Sequence, residues 1–150
     1  MPIIIKKMET DDEIRGKGFV HWKSWQETYP GLMDEAYLAG RTLEVCVEKA
    51  FRWRDNLLVA KDGERVVGFV GYGAAGDALP ETGEVFALYV LQEFCGQGVG
   101  TALMHGAVLR CRQLGVEKCY VDAFGRRKDF YLSAGFSVEG SCSFWYKTLT

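Results

Sequence analysis

The stretch that decides the fold is the glycine-rich run Cys95-Gly96-Gln97-Gly98-Val99-Gly100. It follows an unbroken apolar segment, residues 85–91, which is typical of a strand covered on both faces. After the run, apolar residues recur every four positions from Val99 to Cys111, which predicts an amphipathic helix. The run therefore connects a buried strand to the N-terminus of a helix.

This strand-to-helix connection has the features of an anion-binding loop. Glycine permits close backbone approach and unusual dihedral angles, and a helix N-terminus offers N–H groups at the positive end of its dipole. Together they predict a phosphate site, and a purely structural turn is the alternative. A Walker loop is excluded because Gly100-Thr101 lacks its lysine. A dinucleotide fingerprint is excluded because Thr101 replaces its third glycine and an antiparallel hairpin precedes the loop.

Outward from this loop, hydrophobic periodicity and turn residues divide the rest of the chain into strands and helices. Thr10-Asp11-Asp12-Glu13 is a capping box that starts a helix, and Asp62-Gly63 is a strong hairpin signal. The order β-α-α-β-β-β-α-β-α-β-β predicts an α/β fold with a mixed, mostly antiparallel sheet flanked by helices. The predicted strands are 2–8, 57–60, 66–72, 85–91, 118–123, 136–138 and 143–149, and the predicted helices are 11–28, 34–53, 99–114 and 126–134.

Length and composition indicate one domain over residues 1–150. No apolar run approaches the roughly 18 residues that cross a bilayer, and the start lacks the apolar core of a signal peptide. We therefore expect no membrane contact and a cytoplasmic location. The net charge of −2 disfavours nucleic acid as a partner, although Arg126-Arg127-Lys128 can meet one small anion. Five cysteines without a C-x-x-C pair predict reduced thiols and no metal site.

Two blocks of the sequence resemble the GCN5-related N-acetyltransferase (GNAT) family. The first, residues 88–103, is similar to that family's fourth strand, pyrophosphate loop and third helix. The second, Phe130-Tyr131-Leu132-Ser133-Ala134-Gly135-Phe136, is similar to its Phe-Tyr-x-x-x-Gly-Phe block. The blocks stand in the family's order, and the predicted elements match over nearly the whole chain. The resemblance implies the GNAT fold and acetyl transfer from acetyl-CoA to the primary amine of a small molecule or peptide.

The resemblance also implies which residues contact coenzyme A. The loop amides would bind the pyrophosphate, and the backbone at Leu88 and Val90 would pair with the pantetheine arm as an added strand does. The Val90 N–H would face the acetyl oxygen where the strand splays from its neighbour. Cys95 stands where the family usually has Arg or Gln, a change that leaves the backbone contacts intact. The expected contacts are Leu88, Tyr89, Val90, Cys95, Gly96, Gln97, Gly98, Val99, Gly100 and Thr101.

Two residues are candidates for proton transfer. An acceptor amine is protonated near neutral pH and must lose a proton before it attacks. Glu84 lies where family members often hold a glutamate, so we expect it to be the base, acting through water. An exposed strand-end carboxylate is the alternative. Tyr131 matches the family's usual general acid, which protonates the departing thiolate, and a tyrosine that only packs in the core is the alternative.

The acceptor pocket is expected beside the first two helices. Trp22, Trp25 and Tyr29 would form an aromatic wall that holds a cationic amine by cation–π attraction, and His21 is a second candidate base. The alternative is that the tryptophans only pack their helix onto the sheet. Homodimers are common in the family, and the sequence itself does not decide between a monomer and a homodimer. The competing function is a non-catalytic acyl-CoA-binding or regulatory module.

Overall fold

The computed structural model describes residues 2–28, 34–74, 82–114, 118–122, 137–138 and 144–148. Its helices are α1 Asp11–Thr28, α2 Glu35–Gly40, α3 Leu43–Arg52 and α4 Val99–Gln113, with a short 3-10 helix at Gln92–Phe94. Its strands are β1 Ile3–Lys7, β2 Leu57–Asp62, β3 Arg65–Ala74, β4 Thr82–Val90, β5 Lys118–Asp122, β6 Ser137–Val138 and β7 Phe144–Thr148. Among the described helices, none combines the length and apolarity that crossing a bilayer requires.

The strands form one sheet in the order β1-β2-β3-β4-β5-β7-β6. Neighbours run antiparallel except β4 and β5, which are parallel and are joined through α4. The β2–β3 hairpin turns at Gly63, whose φ of 61° suits a glycine. The predicted α/β fold, with a mixed and mostly antiparallel sheet, is confirmed, as are the parallel pair and the hairpin.

Helices cover both faces of the sheet. Successive strand residues point to opposite faces, and two neighbours on β3 show what covers each one. A Cβ added at Gly68 would lie 3.1 Å from Leu103 Cδ1 of α4. The ring of the next residue, Phe69, instead contacts His21 of α1, with 5.8 Å between centroids. The α4 face and the α1 face are therefore separate, and Phe69 belongs to the α1 face.

The predicted helix over 34–53 is wrong, because the structure divides this stretch into α2 and α3. Thr42 causes the division: its backbone is extended, and its Oγ1 accepts a hydrogen bond from Val45 N at 3.2 Å. A side chain that caps a helix N-terminus favours the start of a new helix over continuation of the previous one. The helix predicted over 126–134 lies outside the described residues.

A buried carboxylate ties α1 to the first two strands. Glu13 is only 3% exposed, and its carboxylate accepts hydrogen bonds from Lys6 Nζ at 2.6 Å and Lys61 Nζ at 3.1 Å. It also accepts from the backbone N–H groups of Glu9 and Thr10, which completes the predicted capping box. Burial alone would raise the pKa of Glu13, but these donors hold it well below its usual value.

Candidate active site

The glycine-rich run adopts a backbone that only glycine accepts readily. Gly96 and Gly98 have φ of 80° and 83°, in the left-handed region, and a Cβ added at either would meet open space. Gly98 is also the N-cap of α4 and has no side chain to bond the first N–H groups of that helix. No side chain at the N-cap therefore competes with an anion for these amides, and the phosphate site itself stays a prediction.

The two polar side chains of the loop fold back onto the chain that precedes it. The thiol of Cys95 lies 3.6 Å from the carbonyl oxygen of Leu91, and Gln97 Nε2 donates to the carbonyl oxygen of Glu93 at 3.1 Å. Backbone N–H groups, rather than these side chains, are thus what the loop offers to a ligand. A cysteine at position 95, where the resemblance implies Arg or Gln, is consistent with a loop that contacts its ligand through the backbone.

β4 has a long pairing with β3 and a short one with β5. The β3 ladder reaches Val90, whereas the β5 ladder covers only Thr82–Val85 in the part of the chain that the structure describes. The register between β3 and β4 shifts at Phe86, because Gly71 pairs with Ala87 while Tyr72 pairs with Val85. A β-bulge of this kind redirects a strand and its side chains. The expected opening beside residue 90 stays a prediction, because residues 123–136 lie outside the described residues.

A cavity of about 490 Å³ lies on the α1 face of the sheet. Its floor includes Phe69 of β3 and Phe86, Ala87 and Tyr89 of β4. The ring of Phe86 lies over Gly71, where an added Cβ would be 2.4 Å from Phe86 Cε2. Ala87 and Tyr89 belong to the stretch of β4 beyond the described β5 ladder, so the cavity lies beside that stretch.

Four of the described side chains that line the cavity are cationic: Lys17, Lys49, Arg52 and Arg54. Lys17 and His21 come from α1, and Lys49, Arg52 and Arg54 come from the end of α3 and the residues after it. Asp55 is the one acidic side chain that the described residues contribute to the lining. The positions 17 and 21 lie one helical turn apart, so their side chains share a face of α1.

His21 is held as a neutral ring. Burial lowers its pKa to about 3, and the charges of Lys17, Arg41 and Lys49 act in the same direction. Arg41 Nη2 lies 3.3 Å from His21 Nε2 and donates to it. A ring with this pKa and an occupied acceptor nitrogen is a poor base at neutral pH, which speaks against the idea that His21 removes the proton.

The two described tryptophans of the predicted aromatic wall lie outside the cavity lining. Trp22 packs against Phe19, with 5.9 Å between ring centroids. Trp25 Nε1 donates to Tyr89 Oη at 3.2 Å, and the Arg41 guanidinium stands over the Trp25 ring at 4.1 Å. The cation–π contact that the sequence predicts for a ligand is thus made by an internal arginine. Tyr29 and Tyr131 lie outside the described residues.

Glu84 lies on the same face of the sheet as the cavity. It pairs with Gly73 on β3, and directly paired residues share a face. Gly73 is separated from Phe69 by two alternations along β3, so both lie on the α1 face. Glu84 is half-buried. Its position therefore agrees with the predicted role, which itself stays a prediction.

Sequence reasoning missed the basic wall. Lys17 with His21, and Lys49 with Arg52, stand at helical spacing, which would have been the available signal. A charged helix position is normally solvated, so the pattern does not distinguish these residues from surface lysines and arginines. No group of His, Cys, Asp or Glu within the described ranges is arranged to hold a metal ion.

Comparison with known proteins identifies the family. The family model described as an acetyltransferase (GNAT) domain matches residues 53–138, more than half of the chain. The PaiA N-acetyltransferase of Thermoplasma acidophilum, solved in complex with coenzyme A, superposes over 99% of this chain and 100% of its own, with a TM-score of 0.77 and 22% identity. The chain therefore belongs to the GNAT acetyltransferase family.

Two relatives match by sequence over part of their length. A mycothiol acetyltransferase of Propionibacterium freudenreichii subsp. shermanii is 41% identical over 92 residues, which are 57% of this chain and 30% of that protein. An uncharacterized N-acetyltransferase of Archaeoglobus fulgidus is 36% identical over 90 residues, 55% of this chain and 58% of that protein. The matched part of this chain thus spans about a third to just over half of these relatives' length.

Proposed function

We propose that this protein transfers the acetyl group of acetyl-CoA to the primary amine of a small molecule or peptide. The observation that carries the proposal is the continuity of β4. Within a few residues the chain passes from a cavity floor, along the part of β4 beyond the described β5 ladder, to a glycine loop that offers backbone amides. This continuity would bring an acetyl donor bound at the loop close to an acceptor held over the cavity floor.

The residues fit the coenzyme through their backbone. Amides from Gly96 to Thr101 would bind the diphosphate at the N-terminus of α4, and the edge of β4 from Leu88 to Val90 would pair with the pantetheine arm. Tyr89 contributes main chain here, because its hydroxyl is engaged by Trp25. The Val90 N–H would stabilise the negative charge that develops on the acetyl oxygen.

Two side chains take part in the proton transfers of the proposed reaction. Glu84, through a water molecule, takes a proton from the ammonium group, and the neutral amine attacks the thioester carbonyl. The tetrahedral intermediate collapses as the carbon–sulfur bond breaks, and Tyr131 gives its proton to the departing thiolate. The nitrogen, which still carries two protons after the attack, gives one of them to the Tyr131 phenolate and so restores the phenol. The products are an acetylated amine and free coenzyme A thiol. Glu84→Gln should remove the acid limb of the rate profile, and Tyr131→Phe should lower kcat while keeping the packing.

A charge placed at Gly98 tests the coenzyme site. Asp and Asn both tolerate the left-handed conformation and both cap helices, so Gly98→Asp and Gly98→Asn differ mainly in one negative charge. We expect Gly98→Asn to retain most coenzyme A affinity in calorimetry. Gly98→Asp should lose about 100-fold, because its carboxylate occupies and repels the diphosphate position. Equal affinities for the two variants would contradict the loop assignment.

Thiol release with a panel of chemically distinct amines tests the reaction itself. Release that depends on both acetyl-CoA and an amine supports the transferase. Coenzyme A binding without release from any amine would favour the non-catalytic acyl-CoA-binding module instead. Absence of heat with coenzyme A in calorimetry would overturn both functions together.

A further inference from the structure

We propose that the amine acceptor of this protein also carries an anionic group, and that the basic wall of the α1-face cavity binds that group. The inference rests on the proposed function and adds the chemical class of the acceptor. An amine that bears a carboxylate, as amino acids and peptides do, is the simplest ligand of this kind. A diamine or polyamine is the opposite class and would be disfavoured.

Lys17 is a buried cation in the wall of this cavity. Its side chain lines the cavity, is only 8% exposed, and lies with its ammonium group 4.8 Å from the centroid of the Phe69 ring. Within the described part of the chain it has neither a hydrogen bond nor an ion pair. A buried charge is costly unless it is paired. A negative ligand in the cavity would supply the missing partner.

The opposite wall of the cavity is also positively charged. Lys49 and Arg54 line the cavity without an ion pair to any described carboxylate, and Arg52 pairs with Glu48 on the exposed side of α3. Asp55 is outnumbered in the lining that the structure describes. The positive potential that results attracts an anion and repels a second ammonium group.

The size and polarity of the cavity fit such a ligand. Its volume of about 490 Å³ falls in the range of small-molecule sites. The aromatic floor at Phe69 and Phe86 would contact the apolar part of the acceptor. Glu84 lies on the same face along β4, so the ammonium end would point toward β4 and the anionic end toward Lys17. The ligand would thus be oriented by charges at both ends.

The basic wall is distinct from the coenzyme loop. None of residues 95–98 lines the cavity, and the loop presents backbone amides rather than cationic side chains. Loss of one cationic charge in the wall should therefore weaken acceptor use and leave coenzyme A affinity unchanged. This separation allows the present inference to fail without the failure of the proposed function.

The test compares amines that differ in one charge. Thiol release is measured with amino acids, their amides, the corresponding decarboxylated amines and a diamine. We expect kcat/KM for the carboxylate-bearing amine to exceed that of the decarboxylated one by about tenfold to a hundredfold, as a charged hydrogen bond warrants. Preference for the diamine, or equal use of all four, would overturn the inference.

A matched pair of variants assigns the effect to the wall. Lys17→Met keeps the length and apolar stem of the side chain, and Lys23→Met on the same helix lies outside the cavity lining. We expect Lys17→Met to abolish the preference for the carboxylate while coenzyme A affinity in calorimetry stays constant. Lys23→Met should change neither. An unchanged preference in Lys17→Met, or equal losses with every amine, would overturn the inference.

Direct binding gives a readout that does not require turnover. With coenzyme A present, the carboxylate-bearing amines should raise the Tm of the native protein. They should raise the Tm of Lys17→Met by a smaller amount. If no anionic amine raises the Tm while coenzyme A binds normally, the inference is wrong and the proposed function stands. If coenzyme A itself gives no heat, the proposed function fails first.

Discussion

Two buried charges on α1, one helical turn apart, have opposite surroundings. Glu13 is 3% exposed and is surrounded by two lysines and two backbone donors. Lys17 is 8% exposed and meets an aromatic ring, with no carboxylate bound to it among the described residues. The buried charge of Glu13 is thus compensated by four donors, whereas no described carboxylate compensates the buried charge of Lys17. The difference indicates that Glu13 serves stability and that Lys17 serves a ligand.

The largest effect should follow from removal of the Glu13 charge. Glu13→Gln leaves the ammonium groups of Lys6 and Lys61 beside an uncharged amide and weakens the helix cap. We expect a loss of about 3 kcal/mol in the free energy of unfolding, the order found when one member of a buried ion pair is removed. Chemical denaturation measures it. The exposed Asp12→Asn is the control and should change stability by under about 0.5 kcal/mol.

Lowering the pH should cause the same loss of stability in the native protein. The folded-state pKa of Glu13 is depressed, so its contribution is complete above the unfolded value and declines as pH falls below about 4.5. Glu13→Gln should lack this part of the acid dependence. If both proteins lose stability in parallel between neutral pH and pH 3, the partners of Glu13 contribute nothing to the fold.

A smaller effect of opposite sign is expected at Lys17. Lys17→Met removes an unpaired buried charge and should raise the free energy of unfolding by about 1 kcal/mol at pH 7. Burial lowers the pKa of Lys17 to about 8, with the charges of Lys49 and Arg41 adding to the decrease. The unfolded chain then binds more protons between about pH 8 and 10.5, so stability contributed through this group rises with pH across that window.

Urea denaturation at pH 7 and pH 9.5 checks this second prediction. The native protein should gain stability relative to Lys17→Met as pH rises, because only the native protein releases the proton of Lys17 on folding. A destabilised Lys17→Met at pH 7, with the same pH dependence as the native protein, would show that Lys17 is a structural residue like Glu13.

The smallest effect should come from one member of the Glu13 cluster. Lys6→Met leaves Glu13 with Lys61 and both backbone donors, so the carboxylate stays satisfied. We expect a loss of about 0.5 kcal/mol in the free energy of unfolding, because the Lys6 side chain is partly exposed and an ion pair at such a site contributes little. A loss as large as that of Glu13→Gln would mean that Lys6 alone compensates the buried charge.

The features that the sequence predicts correctly are those whose signal lies within a few neighbouring residues. The glycine spacing from Gly96 to Gly100 and the capping box at Thr10 each act within a few residues, so they can be recognised without knowledge of the fold. The helix predicted over 34–53 was wrong because apolar periodicity outweighed a single local capping residue, Thr42. The approach of Lys61 to Glu13 joins residues 48 positions apart and has no local signature.

The same limit applies to the site. The loop follows from strand and helix periodicity together with the resemblance, whereas the face of Glu84 depends on the bulge at Phe86, which periodicity does not show. The basic wall depends on the way α1 and the end of α3 meet above the sheet, which periodicity does not specify. Trp25 shows the same limit, since its sequence position does not reveal that Arg41 stands over its ring.

The bulge at Phe86 has a consequence for the length of β4. In a regular strand, residues three apart, such as Glu84 and Ala87, point to opposite sides. The additional residue places both of them on the α1 face, together with Tyr89. Deletion of one residue here would restore strict alternation and turn Glu84 toward the α4 face. The number of residues between Glu84 and Tyr89 therefore decides which face of the sheet Glu84 joins, and with it whether the proposed base can face an acceptor.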